Sequence, residues 1–478
     1  MYDIAIIGAG VVGGMIAREL SFYKLKICIL EKENDVSMGA TKANSAIVHA
    51  GFDAKEGSLK AKLNVEGAKM MEQVARNLGV DYIKNGSLVV GFNEDDRETV
   101  KSLYERGVKN GVEGLKILSR EEILSIEPNI GKDVICALHA PSGAIISPYD
   151  LAVAAIGNAM DNGAELLCNF EVNKIEKSDG AYKISSESGE ITAKHVINCA
   201  GVFSDNIAKA VGDESFNVHP RRGEYLLLDN SCGNIISHTV FVTPSKMGKG
   251  ILVSPTVHGN LLIGPTAVDG EDKNDKSIRE EFFKDIMSVA ERSVIGIPKN
   301  QTITSFCGLR AVGSSGDFII NSPRENFINV AGIESPGLSA SPAIAKYVVN
   351  MLKECGLKLE ADENAKETRA PMHEFRSAGI EKKNEMIKKN PLYGKIICRC
   401  ESITEGEIVD AIRRAPGARD IDGIKRRTRA GMGRCQGGFC SPYVIDILSR
   451  ELNLPYEKIT KSGGSSYVVT GKTKGAKQ

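Results

Sequence analysis

The chain has 478 residues, and Lys plus Arg equals Asp plus Glu at 61 each, so no net field recruits nucleic acid or an anionic membrane. That length suits two or three domains with buried cores. No apolar run approaches the roughly 18 residues of a membrane span, and the opening Met1-Tyr2-Asp3-Ile4 enters a strand without a basic signal region, which predicts a cytoplasmic protein.

In chain order, Asp3-Ile4-Ala5-Ile6-Ile7 is a short apolar run suited to a strand buried on both faces. Gly8-Ala9-Gly10-Val11-Val12-Gly13 follows, a helix continues from Gly14, and Lys26-Ile27-Cys28-Ile29-Leu30 reads as a second parallel strand ending at Glu31. Gly8 permits the tight turn, Gly10 lets the backbone approach a pyrophosphate, and Gly13 lets helix and strand pack closely. The helix start offers N–H groups to phosphates. Glu31, about 20 residues past the glycines, is placed for a ribose diol. The pattern predicts a dinucleotide site without separating FAD from NAD, and a merely tight βα turn is the plainer alternative.

Ser37-Met38-Gly39-Ala40-Thr41-Lys42-Ala43-Asn44-Ser45, followed by His49-Ala50-Gly51, resembles the FAD-contacting segment of the D-amino-acid-oxidase-like flavoproteins. Within them it is most similar to the glycerol-3-phosphate and L-2-hydroxyglutarate dehydrogenases. Further likeness lies in Ile197-Asn198-Cys199-Ala200-Gly201, Pro220-Arg221-Arg222-Gly223-Glu224-Tyr225 and Gly308-Leu309-Arg310. Gly332-Ile333-Glu334-Ser335-Pro336-Gly337-Leu338-Ser339-Ala340-Ser341 resembles the segment that closes over the flavin.

The resemblance implies an α/β fold, with a Rossmann-like FAD domain and an inserted substrate domain on a mixed or antiparallel sheet. It implies FAD contacts at Gly8, Gly10, Gly13, Glu31, Thr41, Asn44, Ser45, Val172, Ala200, Gly201, Gly332, Gly337, Leu338 and Ser339. The FAD domain is expected in pieces at residues 1–80, 140–215 and 320–355, and the substrate domain at 81–139 and 216–319. Runs such as Ser87-Leu88-Val89-Val90, Tyr225-Leu226-Leu227-Leu228 and Leu261-Leu262-Ile263 suit strands of the inserted sheet. Residues 356–390 read as a charged, solvated linker.

Near the end stand Cys398-Arg399-Cys400 and Cys435-Gln436-Gly437-Gly438-Phe439-Cys440. Four thiols spaced C-x-C and C-x4-C, without a secretion signal, suggest a metal or iron–sulfur site instead of disulfides. Iron–sulfur and zinc both accept such thiolates, although structural zinc prefers C-x2–4-C knuckles, and free thiols are the remaining alternative. Gly437 and Gly438 give the second loop freedom to wrap a cluster. The tail, with Arg426-Arg427-Thr428-Arg429-Ala430-Gly431-Met432-Gly433-Arg434, resembles the bacterioferritin-associated-ferredoxin-like domain of anaerobic glycerol-3-phosphate dehydrogenase large subunits. That likeness implies a small helix-rich [2Fe–2S] domain at 391–462, ligated by Cys398, Cys400, Cys435 and Cys440, before a frayed tail at 463–478. Cys28, Cys136, Cys168, Cys199, Cys232, Cys307 and Cys355 lie singly, and most of them read as small buried hydrophobes.

The implied chemistry is removal of a hydride from a carbon bearing a hydroxyl, with a base taking the hydroxyl proton. His49 is the first candidate base by its family position beside the flavin; alternatively it only hydrogen-bonds the flavin or its loop. His258 is a second candidate, though alone it reads as a turn residue. Arg310 lies where the family faces an arginine to substrate, and its fork suits a carboxylate or phosphate; a structural ion pair is the alternative. Arg222, Lys246 and Lys249 are further sources of positive charge, with a plain surface position favoured for the two lysines. The basic run Lys425-Arg426-Arg427 either steers an acidic partner or is a solvated face.

The expectation is a dehydrogenase oxidising a small anionic hydroxy substrate, sn-glycerol-3-phosphate, to dihydroxyacetone phosphate. Electrons would leave through the cluster to a flavoprotein or iron–sulfur acceptor subunit, in the cytoplasm or in a complex peripheral to a membrane. L-2-hydroxyglutarate is the alternative substrate, and amines come third. A non-catalytic electron-transfer or redox-sensing subunit is the alternative of another class.

Overall fold

The computed structural model describes residues 1–244, 250–372, 374–471 and 474. Strand Tyr2–Ile7 sits mid-sheet, parallel to Ile27–Leu30 on one side and Gly189–Asn198 on the other. Its apolar run has no polar face to turn outward, so both faces must be covered. Glu165–Leu167 continues the sheet in parallel beyond Ile27–Leu30, and Phe327–Ala331 joins in parallel beside Gly189–Asn198. Strands Lys174–Ser178 and Ala181–Ser186 add an antiparallel hairpin, and Ile319–Arg324 pairs with Phe327–Ala331. Helices Val11–Leu20, Leu59–Leu78, Pro148–Asp161 and Gly337–Glu354 bury their apolar faces in one core with Ile4, Ile6 and Ile29. Two of them nearly touch at Gly67, where a Cβ would stand 2.2 Å from Ser339 O. Any side chain there would force the helices apart.

A second sheet, of nine strands among the described residues, is inserted into this frame. Its spine is the long antiparallel pair Val218–Leu228 and Thr302–Gly313, in register from Val218 opposite Gly313 to Tyr225 opposite Phe306. Thr239–Val242 and Ser87–Gly91 run parallel, and the other pairs are antiparallel, so the sheet is mixed. Leu226, Leu228, Val240, Val253 and Ile263 make its own core with helix Glu281–Ser293. This is the α/β arrangement that the resemblance implied.

Helices Glu405–Arg413, Ile421–Thr428 and Ser441–Leu452 form the small third unit around Ile408, Ile412, Ile424 and Leu448. Thr404 starts the first of these helices with a capping box: its hydroxyl accepts from Glu407 N while Glu407 bonds back to Thr404 N. The unit is tied to the FAD-type frame by buried charge. Asp35, 3% exposed, takes a bidentate pair from Arg427 (2.6 and 2.8 Å) and a further bond from Arg426 (2.5 Å). Asn34 Nδ2 donates to Asp420 (2.5 Å), and Arg429 reaches Asn260 of the inserted sheet (3.1 Å). The run Lys425-Arg426-Arg427 is therefore neither a solvated face nor a steering patch. Arg426 and Arg427 are spent on an internal seam.

Two further expectations change. The segment after Glu354 does not run free in water over its first half. Asp362 N donates to Phe22 O (2.9 Å), Arg18 to Glu367 O (2.9 Å), and buried Arg369 pairs with Asp161 (2.9 Å), strapping it across two helices. Charge in the sequence marked solvation; the partners that bury it come from distant stretches. Nor does fraying begin at Gly463, since Lys461 N donates to Ser466 O (2.7 Å) and Thr460 bridges Tyr467. Residues 472, 473 and 475–478 lie outside the described residues. Of the lone cysteines, Cys28, Cys136, Cys232 and Cys307 are buried, Cys168 and Cys199 partly so, and Cys355 is exposed.

Candidate active site and cluster site

The turn after Tyr2–Ile7 opens into a cleft of about 510 Å³. A Cβ on Gly13 would lie 2.0 Å from Gly8 O, so only glycine lets the helix start against that turn. Glu31, at the tip of the second strand, accepts from Ala9 N (2.9 Å) and Glu33 N (3.1 Å). Each oxygen keeps a lone pair for a diol. Burial pushes its pKa up, and these two N–H groups oppose that. Across the cleft Thr41 Oγ1 accepts from Val11 N (3.0 Å). Lys42 follows it, with its ammonium 3.7 Å from Met38 Sδ. Burial, then the positive charges of Arg426 and Lys276, push the Lys42 pKa down to about 8.

Gly8, Gly10, Gly13, Glu31, Thr41, Asn44, Ser45, Val172, Ala200, Gly201, Gly337 and Leu338 all border the cleft. Gly332 and Ser339 do not. Gly332 takes a positive φ of 63° in the turn leading to the flavin-closing segment, and Ser339 is fully buried. Ser339 Oγ instead accepts from His49 N (2.7 Å) and donates to Ile47 O (3.3 Å). A glycine cradle, a ribose acid and a half-buried lysine beside the phosphate-binding turn fit FAD.

An adjoining cavity of about 250 Å³ shares Ser45, His49, Arg310, Glu334, Ser335 and Pro336 with the cleft. His49 Nε2 is 3.2 Å from Ser335 Oγ, and its ring tilts against Phe241 at 5.8 Å. Arg310 donates to Thr266 O (2.9 Å). Directly across the strand pair stands Arg221, which also borders the cavity and is steadied by Asp269 (2.6 Å). Lys60 lies on another wall, bonded to Glu334 (2.7 Å). On its walls Arg221, Arg310 and Lys60 outnumber the acids Asp53 and Glu334, which suits a compact anion.

Other candidates fall elsewhere. Arg222 alternates to the opposite face of its strand from Arg221 and is buried against Glu224 (3.0 Å), Asp275 and Ser277. His258 borders neither cavity and lies 3.8 Å from Asp150 and 3.9 Å from Asp81. Lys246 and Lys249 lie outside the described residues. Arg221 and Lys60 were missed by sequence reasoning. A signal existed for the first: in Arg221-Arg222 only one of two adjacent strand residues can face the cavity, and pairing register chooses which.

In the small unit Cys398 and Cys440 are 1% and 2% exposed, and each thiol perturbs the other's titration. Cys400 Sγ and Cys435 Sγ are 3.7 Å apart. Two thiolates on one tetrahedral metal, with bonds of about 2.3 Å, stand about 3.75 Å apart. Among the described residues no three His, Cys, Asp or Glu side chains gather as they would for a single ion. Two thiol pairs fit a two-iron cluster held by four cysteines better than one zinc.

Comparison with known proteins agrees with both cofactors. Residues 3–351 match the family described as FAD dependent oxidoreductase, and residues 396–450 match the BFD-like [2Fe-2S] binding domain. The chain is 50% identical to a glycerol 3-phosphate dehydrogenase of Caloramator mitchellensis over 99% of both chains. It is 30% identical to the mitochondrial L-2-hydroxyglutarate dehydrogenase of Bos taurus over 61% of this chain and 66% of that one. Among solved structures, the FAD-bound, dithionite-reduced L-alpha-glycerophosphate oxidase of Mycoplasma pneumoniae superposes with a TM-score of 0.73. That match has 32% identity and covers 77% of this chain and 98% of the other. The glycine-built cleft and the paired thiols thus have their family: this chain belongs to the FAD dependent oxidoreductases and carries a BFD-like [2Fe–2S] domain at its C-terminal end.

Proposed function

We propose that the chain oxidises sn-glycerol-3-phosphate to dihydroxyacetone phosphate. The observation that carries this reading is the 50% identity, along essentially its whole length, to a glycerol 3-phosphate dehydrogenase. The cationic cavity beside the cleft supports it, since Arg310, Arg221 and Lys60 suit a phosphate dianion. FAD, when bound, supplies the two-electron acceptor, and the cluster supplies single-electron capacity. His49 Nε2 takes the proton of the C2 hydroxyl, and Ser335 Oγ orients the ring. Ser339 anchors the His49 backbone, so the base is held from both ends. Arg310 and Arg221 grip the phosphate and fix which hydroxyl meets the base.

The solved oxidase is spanned almost completely by this chain, which has a further domain beyond that match. An enzyme delivering electrons directly to oxygen has no need of it, and a dehydrogenase feeding a protein acceptor does.

Anaerobic addition of sn-glycerol-3-phosphate should bleach the flavin absorbance of the purified protein quickly, while L-2-hydroxyglutarate should not. Bleaching by the hydroxyacid alone would replace the substrate and keep the cofactors. Absorbance unmoved by either compound would sink the proposal.

A further inference from the structure

The rim of the cluster site differs from the surface around it. Cys398 and Cys440 are buried, whereas Cys400 is exposed and Cys435 partly so, so one end of the ligand set faces solvent. Beside that end stands Phe439, 81% exposed, with Tyr443 at 55% one helical turn further on. Rings this large ordinarily bury their apolar area, and exposed together they mark a contact surface. The rim is also cationic. Arg399 lies between ligands Cys398 and Cys400, and Arg434 immediately precedes Cys435; both are exposed. Arg434 donates to the neutral amide oxygen of Gln301 (2.5 Å). Glu401, the acid of the same loop, is turned inward onto Arg429 (2.8 Å) and Arg376 (3.4 Å). It therefore neutralises neither rim arginine.

We propose that this face, centred on Phe439 and Tyr443 and rimmed by Arg399 and Arg434, docks a protein one-electron carrier that surrounds its own redox centre with acidic residues. The proposal rests on the function above, because it names where electrons from the substrate leave. The balance closes: each sn-glycerol-3-phosphate yields dihydroxyacetone phosphate, two protons and two electrons, and two carriers are each reduced by one electron. Aromatic side chains at the centre of a patch supply desolvated contact. The charged rim governs encounter and orientation. So small a patch suits the brief complexes of electron transfer, which sit at the low end of interface size. Whole-chain charge adds nothing, since positive and negative residues balance, so the local rim decides the sign of the partner.

The test is surface plasmon resonance on the immobilised holoenzyme, with flavodoxin as an acidic carrier and cytochrome c as a basic one. Flavodoxin should bind at low ionic strength and weaken at about 0.3 M salt, where screening shortens to a few ångström. Cytochrome c should not bind. The double variant Arg399→Glu/Arg434→Glu should weaken flavodoxin about tenfold or more and reverse the preference between carriers. Phe439→Ser should weaken flavodoxin about tenfold while iron, sulfide and flavin bleaching by sn-glycerol-3-phosphate stay at parental levels. Failure of flavodoxin to bind, equal binding of both carriers, or variants that bind like the parent would overturn the proposal. So would a parental dimer, seen by sedimentation, that Phe439→Ser dissolves, because a second copy of the chain would then cover the face. Loss of bleaching in the parent protein would strike the functional reading instead and leave the binding result standing.

Discussion

Arg221 and Arg222 are neighbours in sequence and opposites in role, because successive strand residues point to opposite faces. Arg221 faces the cavity and is partly exposed, so Arg221→Ala should raise KM for the phosphate substrate about tenfold or more, with little change in melting temperature. Arg222 is buried with Glu224, whose side chain is 1% exposed. Arg222→Ala leaves that carboxylate buried without its guanidinium and should cost about 3–5 kcal/mol of stability, read by thermal or urea unfolding. The two variants should therefore separate cleanly, one in kinetics and one in unfolding. Equal effects of both on KM would remove Arg221 from the grip on the phosphate.

The loop from Glu31 to Thr41 is the element that joins the two redox sites. It offers Glu31 to the cleft and Asp35 to the small domain. Burial alone would raise the Asp35 pKa, but Arg427 and then Arg426 outweigh it and hold it at about 2. A carboxylate whose folded pKa is depressed stabilises the fold above its unfolded pKa of about 3.9, and that stabilisation is lost as pH falls through the folded value. The seam should hold at neutral pH and weaken between about pH 4 and pH 2. Hydrogen exchange of helix Ile421–Thr428 should report this as falling protection, relative to the intrinsic rate at each pH, over that window. Asp35→Asn should flatten the acid dependence and loosen the helix already at pH 7. Exchange that is indifferent to both acid and the substitution would remove Asp35 from the seam's energetics.

At the scale of the molecule, three units meet where none alone is complete. The substrate cavity takes walls from helix Leu59–Leu78 of the first unit and from strands Val218–Leu228 and Thr302–Gly313 of the second. The third unit closes a buried charge on the first. Ending the chain at residue 390 would remove Arg426 and Arg427 and open Asp35 to water. Asp35→Asn should therefore destabilise the full chain by about 3–5 kcal/mol, read by urea unfolding, and cost the truncated chain little. Loss in the full chain and near-neutrality in the truncated one, from a single substitution, is the signature of coupling across the seam. An equal cost in both would assign Asp35 to the stability of the first unit alone.

Local chemistry made the cofactor sites legible. Gly8 and Gly13 declare a close approach that no side chain permits, and four thiols in two short loops declare a thiolate-bound centre, whatever surrounds them. The small domain's helix-rich class came from likeness to a known domain, and the capping box at Thr404 is seen only in the structure. What lay out of reach depends on partners far apart in the chain. Only the pairing of Val218–Leu228 with Thr302–Gly313 turns Arg221 to the cavity and Arg222 to Glu224. Only the docking of the third unit converts Arg426 and Arg427 from apparent surface charge into the counterions of Asp35. Ser339, which reads as a flavin contact, lies one layer behind and holds His49. A sequence records which groups need partners. Which partner each one meets is decided by the three-dimensional path of the chain, since burial energy and charge pairing act through space and not along the backbone.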